Sequence, residues 1–199
     1  MLRSTFDRLL SYAGLLLAAL LIIVSALAFW GYSFANANVH DQLSAQKITM
    51  PVAAATSTLS ADDQAALAPF AGQPLDNGNA AKAYADHYIW AHMKASANQV
   101  MGKDATYSEA SSACMAATKT APTDDKTKAL CDLRETLFMG NTLRSMLLTA
   151  YAFGTIATIA LIGAIVTLVG GIAMLVLGIM GLNHAKRAGD AVVGGTPTH

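Results

Sequence analysis

Two long uncharged apolar runs bracket a polar, alanine-rich middle. The first, residues 12–32, reads YAGLLLAALLIIVSALAFWGY. The second lies in a stretch where no charged residue appears between Arg144 and Lys186, and only His184 can titrate near neutral pH. About 18 or more apolar residues without charge are enough for a membrane span. Residues 147–182 exceed that: as one helix, roughly 36 residues would reach ~54 Å against a hydrocarbon core of ~30 Å. Only part of that helix fits in lipid. Tyr151 and Phe153 suggest the interface, because aromatic rings favour headgroup level, and this places the span near residues 153–182. The helix is expected to continue upstream, out of the membrane, through residues 137–150. An apolar helix standing there must bury its face on the rest of the chain or on a partner.

The first run has Tyr12 at its inner end and Trp30, Tyr32 and Phe34 at its outer end, as an aromatic belt would. A cleaved signal peptide is the rival reading, with Ala26-Leu27-Ala28 or Ala35-Asn36-Ala37 as cleavage sites. The run exceeds the ~7–15 residue core of such a peptide, which favours an uncleaved anchor. Arg3 and Arg8 precede the first span, and Lys186 and Arg187 follow the second. The positive-inside rule then makes both tails cytoplasmic and the middle extracytoplasmic. Lys47 and Arg144 near the outer ends keep the bias modest.

Within the middle, residues 36–48 extend the first span as a helix, and Met50-Pro51 predicts its stop. Residues 51–58 read as a linker. Ser60 followed by Asp62 and Asp63 predicts an N-capped short helix to about Pro69. Residues 72–78 form a turn-rich loop. Residues 79–98 make the strongest outer helix, with Ala80, Tyr84, Tyr88, Ala91 and Ala95 as its packing face and Trp90 and Met93 off that stripe. Thr106 and Glu109 have capping-box spacing for a helix over 106–118. Asp124-Asp125 opens a last helix through Leu130, Leu133 and Leu137 into the second span, with a possible kink at Gly140-Asn141.

The expected fold is therefore an all-α membrane protein, two transmembrane helices joined by a small helical extracytoplasmic domain. Its parts are a cytoplasmic tail (1–11), a first span (12–33), the helical domain (34–145), a long helix including the second span (146–182) and a cytoplasmic tail (183–199).

Composition narrows the function. With 13 basic and 13 acidic side chains, the chain lacks the basic excess of a nucleic-acid partner. Two cysteines cannot hold a four-cysteine cluster, and no Cys-x-x-Cys-His appears. Cys114 and Cys131, both outside the spans, point to a disulfide across the 121–124 turn in an oxidising compartment. Two free buried thiols are the other reading. His40, His87 and His92 invite a metal, but His87 and His92 are five apart and do not share a helical face. The acidic pairs Asp62-Asp63 and Asp124-Asp125 suit helix starts, and Asp132 and Glu135 face no nucleophile motif. No catalytic, cofactor-binding or metal-ligating residue is assigned, and no enzyme is expected.

The glycines of the second span carry more. Gly163 and Gly170 are seven apart, as are Gly171 and Gly178, and Gly163, Thr167 and Gly171 form a small-x-x-x-small row. Small residues let helix backbones approach closely in lipid. Gly14, Ala18 and Ser25 offer a matching face on the first span. Either the two spans pack on each other, or a glycine face docks on another membrane subunit. No acid, lysine or arginine lies inside either span, which argues against an ion path.

The stretches FANANVHDQLSAQKITMP (34–51), AKAYADHYIWAHM (81–93), TYSEASSA (106–113) and TLRSMLLTAYAF (142–153) resemble an actinobacterial family of two-span membrane proteins. One of its members is an accessory subunit of the respiratory supercomplex joining cytochrome bcc to cytochrome c oxidase. The likeness covers most of the chain and rests on no catalytic signature. It implies a non-catalytic, cofactor-free subunit of the bacterial plasma membrane that fills a gap between larger membrane subunits of a respiratory complex. The cysteine pair is not part of the resemblance. A second possibility is an extracytoplasmic ligand-sensing protein, which would need a separate signalling partner because only about 17 residues follow Leu182. A membrane enzyme ranks last for want of a site.

Overall fold

The computed structural model describes residues 3–187; the end of the expected C-terminal tail, 188–199, lies outside the described residues. The described chain is helical and without β-strands, and two of its helices are long and apolar enough to cross a membrane. It divides into two compact units, each described by itself. One holds residues 3–34 and 156–187, and the other holds residues 35–155.

The first unit is an antiparallel pair of apolar segments from helix α1 (Arg3–Ala45) and helix α7 (Asp125–Arg187). Most large side chains of these segments are exposed, among them Leu16, Leu20, Ile23, Leu27, Ile159, Ile162, Val166 and Val169. In water such a surface would be untenable, whereas in lipid it is the expected outer face of a spanning pair.

The second unit is built around two buried apolar clusters. In the larger, Val39, Leu43 and Leu147 meet Met50, Leu67, Leu75 and the alanines at 80, 81, 83 and 85. In the smaller, Met93, Ala97 and Ala110 meet Leu133 and Leu137. The upper part of α1 ends at Ala45, five residues before the expected stop at Met50-Pro51. Lys47 takes a positive φ of 53° there, so the chain turns before proline can end the helix. Residues 46–50 instead pair with the 72–75 loop: the Met50 amide donates to the Gln73 carbonyl and the Leu75 amide to the Ile48 carbonyl.

Residues 51–58 are not a plain linker. They hold the one-turn helix α2 (Ala53–Thr56), whose Thr56 is buried. Helix α3 (Ala61–Leu67) is capped by Ser60, whose hydroxyl accepts from the Asp63 amide, and it tightens into a 3-10 turn at Ala68–Phe70. Asn77 caps helix α4 (Gly78–Ala83). A π-helical segment, Tyr84–Ile89, then leads into helix α5 (Trp90–Met101), which ends at Gly102 with φ 71°. Helix α6 (Tyr107–Thr120) starts with the full Thr106/Glu109 capping box.

The π-helical segment changes which face of 79–98 is inside. The buried positions are Ala80, which the expected face includes, and Ala81, Ala83, Ala85, Met93 and Ala97, with Ile89 packed beside them. Tyr84, Tyr88 and Ala91 are half-buried and Ala95 is exposed, so the face expected from a 3.6-residue period is only partly covered. In a regular α-helix, residues four apart drift by about 40° per step, too much for a stripe at 81, 85, 89, 93 and 97 to stay on one side. A stretch of wider turns, closed by i→i+5 bonds, removes part of that drift. At Gly140-Asn141, the site of the expected kink, helix α7 runs on without a break from Asp125, and a side chain at 140 would collide with Met93.

Candidate functional site

In the first unit, a seam of small residues joins the two apolar segments. On α1 the buried positions are Ser11, Ala18 and Ser25; on α7 they are Ala157, Ala164, Gly171, Gly178 and Ala185. Both sets repeat every seven residues, the period that keeps a seam facing its partner in a left-handed supercoil. The backbones approach closely because these side chains are small. A Cβ at Gly171 would lie 3.3 Å from the Ala18 carbonyl oxygen and 3.0 Å from Ile22 Cγ1. At Gly178 it would lie 3.3 Å from the Ser11 carbonyl oxygen and 2.8 Å from Leu15. The Ser25 hydroxyl donates to the Ala164 carbonyl at 2.7 Å, a polar clasp across the pair. Such bonds contribute roughly 0.6–2 kcal/mol in lipid.

The four glycines singled out in the sequence thus have different surroundings. Gly171 and Gly178 face α1 of the same chain. At Gly170 a Cβ would make only ordinary contact with Leu21, at 3.8 Å, and at Gly163 it would meet nothing within 4 Å. The sequence places Ser25 on the packing face of the first span but does not show its hydrogen bond to Ala164, and it does not single out Ala157, Ala164, Ala185 or Ser11. Their signal was present as a seven-residue repeat of small side chains, alanine and serine included, but glycine spacing alone does not show it.

In the second unit, the polar side chains gather at the π-helical segment. Arg144 of α7 donates through Nε to the Ala85 carbonyl (3.1 Å) and through Nη2 to Asp86 Oδ1 (2.9 Å). Its guanidinium carbon lies 4.5 Å from the Trp90 ring centre. The Ala85 carbonyl also accepts the Trp90 amide, the i→i+5 bond that defines the wide turn. Arg144 therefore braces the turn and its carboxylate together. Lys82 donates to the other oxygen of Asp86 and stands 5.5 Å from the Tyr151 ring centre. Burial works against ionising Asp86, but the hydrogen bonds and charges of Lys82 and Arg144 outweigh it and hold its carboxyl below the usual range.

On the other flank, Asp63 Oδ1 lies 2.9 Å from His87 Nδ1, tying α3 to the π-helical segment. The Ser60 hydroxyl donates to Asp63 Oδ2 at 2.6 Å. That bond, opposed by burial and joined by His87, lowers the Asp63 pKa. Glu109 is held down to about 2 by Lys103, then by the Thr106 amide and hydroxyl. Burial pushes the half-buried Tyr84 phenol up, and its neighbour Tyr88, stacked at 4.9 Å, adds to the shift. His92 turns back, its Nδ1 donating to the Tyr88 carbonyl at 2.8 Å. His40 lies 3.9 Å from Asp76. The three histidines of the sequence reading thus take three separate partners, and among the described residues no three metal-ligating side chains converge.

Cys114 and Cys131 form a disulfide between α6 and α7, with Cα atoms 4.9 Å apart. The chain packs Gly78 against the α7 backbone, where a side chain would lie 3.0 Å from Tyr151 Cα, and so seats α4 on α7. What this arrangement does chemically is hold helices in place: the carboxylates of Asp63 and Asp86 are engaged by cations and hydroxyls of the same chain. The Arg144 contacts and the Lys82–Tyr151 contact escaped the sequence reading because they cross from α4 and the π-helical segment to a helix some sixty residues later, whereas the Lys82–Asp86 pair is local, four residues apart on one helix face. Comparison with protein-family models, curated proteins and solved structures gives no match.

Proposed function

We propose that this chain is a non-catalytic accessory subunit of a bacterial plasma-membrane complex. On the resemblance described above, that complex is the supercomplex of cytochrome bcc with cytochrome c oxidase. Both termini would be cytoplasmic, and residues 35–155 would stand on the opposite side. One observation carries the reading: the spans need only one seam to hold each other, yet small residues also occur off that seam. Gly163 meets open space although α1 lies alongside. An unfilled glycine on a lipid-facing helix suits close approach by a third helix. In this role the chain contributes shape and adhesion between larger subunits, while electron transfer belongs to their haem and copper centres. Lipid and those membrane subunits are then its partners.

Purification from native membranes in mild detergent tests this. The tagged chain should bring down haem-containing subunits, read from their absorbance spectra. A chain that elutes alone would end the proposal. The sensor reading draws on an open apolar groove of about 380 Å³ lined by Pro51, Ala53, Thr56, Gln64, Leu67 and Ala71. Under that reading the purified chain would be free of haem subunits and would be stabilised by a small apolar molecule.

A further inference from the structure

Helix α7 buries one side of its outer stretch and leaves another bare. Leu130, Leu133, Leu137 and Leu147 are buried. Phe138, Met139, Leu143, Met146 and Phe153 are each between 51 and 66 % exposed. Tyr107 of α6, itself exposed, extends the patch, its ring tilted against that of Phe138 with centres 5.8 Å apart. Six half-exposed large side chains, each offering about half of roughly 200 Å², present roughly 600 Å². With the exposed Thr142 and Thr149 between them, the patch approaches the ~800 Å² per partner of a stable interface.

Lipid cannot cover most of it. If Phe153 marks the interface, Leu143 stands about 15 Å and Phe138 about 22 Å along the helix beyond it. The headgroup layer adds only about 5–8 Å on each side of the hydrocarbon core. A contiguous apolar patch in water at that height calls for protein.

A second copy is a poor cover. Two copies of one topology in one membrane pair about an axis along the membrane normal, so each residue meets its own counterpart at the same height. Glu135 and Asp132, both exposed, stand one to two turns before Met139 on this side of α7, with Lys128 a further turn away. Self-pairing would set Glu135 against Glu135, and like charges across an interface disfavour it.

We propose that the stripe of Tyr107, Phe138, Met139, Leu143 and Met146 is a docking surface for an extramembrane apolar helix of a different membrane-anchored subunit, which carries lysine or arginine opposite Glu135. This rests on the accessory-subunit reading and names where that subunit grips its partner above the bilayer.

Photo-crosslinking in native membranes tests it, using the full chain with a benzophenone amino acid at Met139 and a control probe at Lys119. Retention of the Cys114–Cys131 disulfide by intact mass verifies folding. The expected product is an adduct with a membrane polypeptide other than this chain, mapped to an apolar helix bearing a basic residue. Glu135→Lys should then cut its yield about fivefold or more, and Glu135→Gln by less. An adduct of twice this chain's mass would mean a second copy and overturn the assignment. Lipid adducts alone, a yield no higher than at Lys119, or a yield indifferent to Glu135→Lys would do the same. A probe at Gly163 separates the two levels. If it captures a foreign membrane subunit while Met139 captures none, this surface alone is wrong; if both capture nothing, the accessory-subunit reading falls with it.

Discussion

The two units of this chain hold their helices together by opposite means. The span pair, residues 3–34 and 156–187, has a seam of glycine, alanine and serine and keeps most of its leucines and isoleucines outside. The unit of residues 35–155 puts leucine and methionine inside and adds caps, ion pairs and a disulfide. The contrast follows from solvent. In water, burying apolar area drives association, so large side chains go in. In lipid that drive vanishes between helices, and what remains is backbone proximity, dispersion and a few polar clasps. The same residue type therefore has opposite meanings: a leucine is core in one unit and surface in the other.

This contrast can be broken at the second unit first. Cys114→Ser with Cys131→Ser removes a tie between α6 and α7 whose sequence separation is 17. The expected loss is roughly 3 kcal/mol, since an open loop of that length regains its closure entropy. Amide exchange should show α6 loosening first, because few of its residues besides Ala110 and Cys114 are buried. The span pair should keep its protection. Unchanged exchange in α6 would show that packing, not the bridge, holds it.

The converse break lies in the seam. Gly171→Leu or Gly178→Leu should cost ~1–3 kcal/mol of helix pairing by overpacking, because Ala18, Ile22, Leu15 and the Ser11 backbone already occupy the space. Gly163→Leu, which meets nothing in this chain, should leave the pair intact. Crosslinking between cysteines placed on the two segments would read the difference. If Gly163→Leu separates the spans as strongly as Gly171→Leu, the seam is misplaced. Under the accessory-subunit proposal, Gly163→Leu alone should instead reduce co-purification.

Arg144 sharpens the contrast because it is a half-buried charge in the second unit, whereas the apolar runs 12–32 and 153–182 hold no charge. Arg144→Met keeps much of the side chain's bulk but leaves Asp86 with Lys82 alone. Breaking a fully buried pair costs about 3–5 kcal/mol, and partial exposure here should reduce this to ~1–2 kcal/mol. A calorimetric scan should show the loss. Restored stability in Arg144→Met/Asp86→Asn would confirm that the unpaired carboxylate is the cause.

Acid gives the smallest effect and the cleanest sign. Asp63, Asp86 and Glu109 all have folded pKa values below their ordinary ones. Their contribution is present above the ordinary carboxylate range and is lost as pH falls through the folded values. The second unit should therefore weaken as pH drops below the ordinary carboxylate range, Glu109 protonating near pH 2. Ser60→Ala removes the largest cause of the Asp63 shift and should move its protonation upward, visible by carboxyl carbon NMR. An unmoved Asp63 would leave His87 as the dominant partner.

Much of the helical layout was legible in the chain. Charge-free apolar length marks both spans, because lipid tolerates no unpaired backbone and few charges. Ser60, Thr106 with Glu109, and the turn around 121–124 mark helix ends, because caps are local chemistry between residues three apart. Proximity in sequence also suggested the Cys114–Cys131 bridge. Three things came only from tertiary structure. The buried face of 79–98 depends on a π-helical segment braced by Arg144, a contact between residues far apart in sequence that no periodicity encodes. The helix α2, within residues 51–58, exists because Thr56 finds a buried place, not because four residues favour a helix by themselves. The division of the glycines into Gly171 and Gly178, pressed on α1, and Gly163, left open, depends on the register between two helices. Register is set by the fit of whole faces, and spacing along one helix cannot reveal which residues its neighbour will meet.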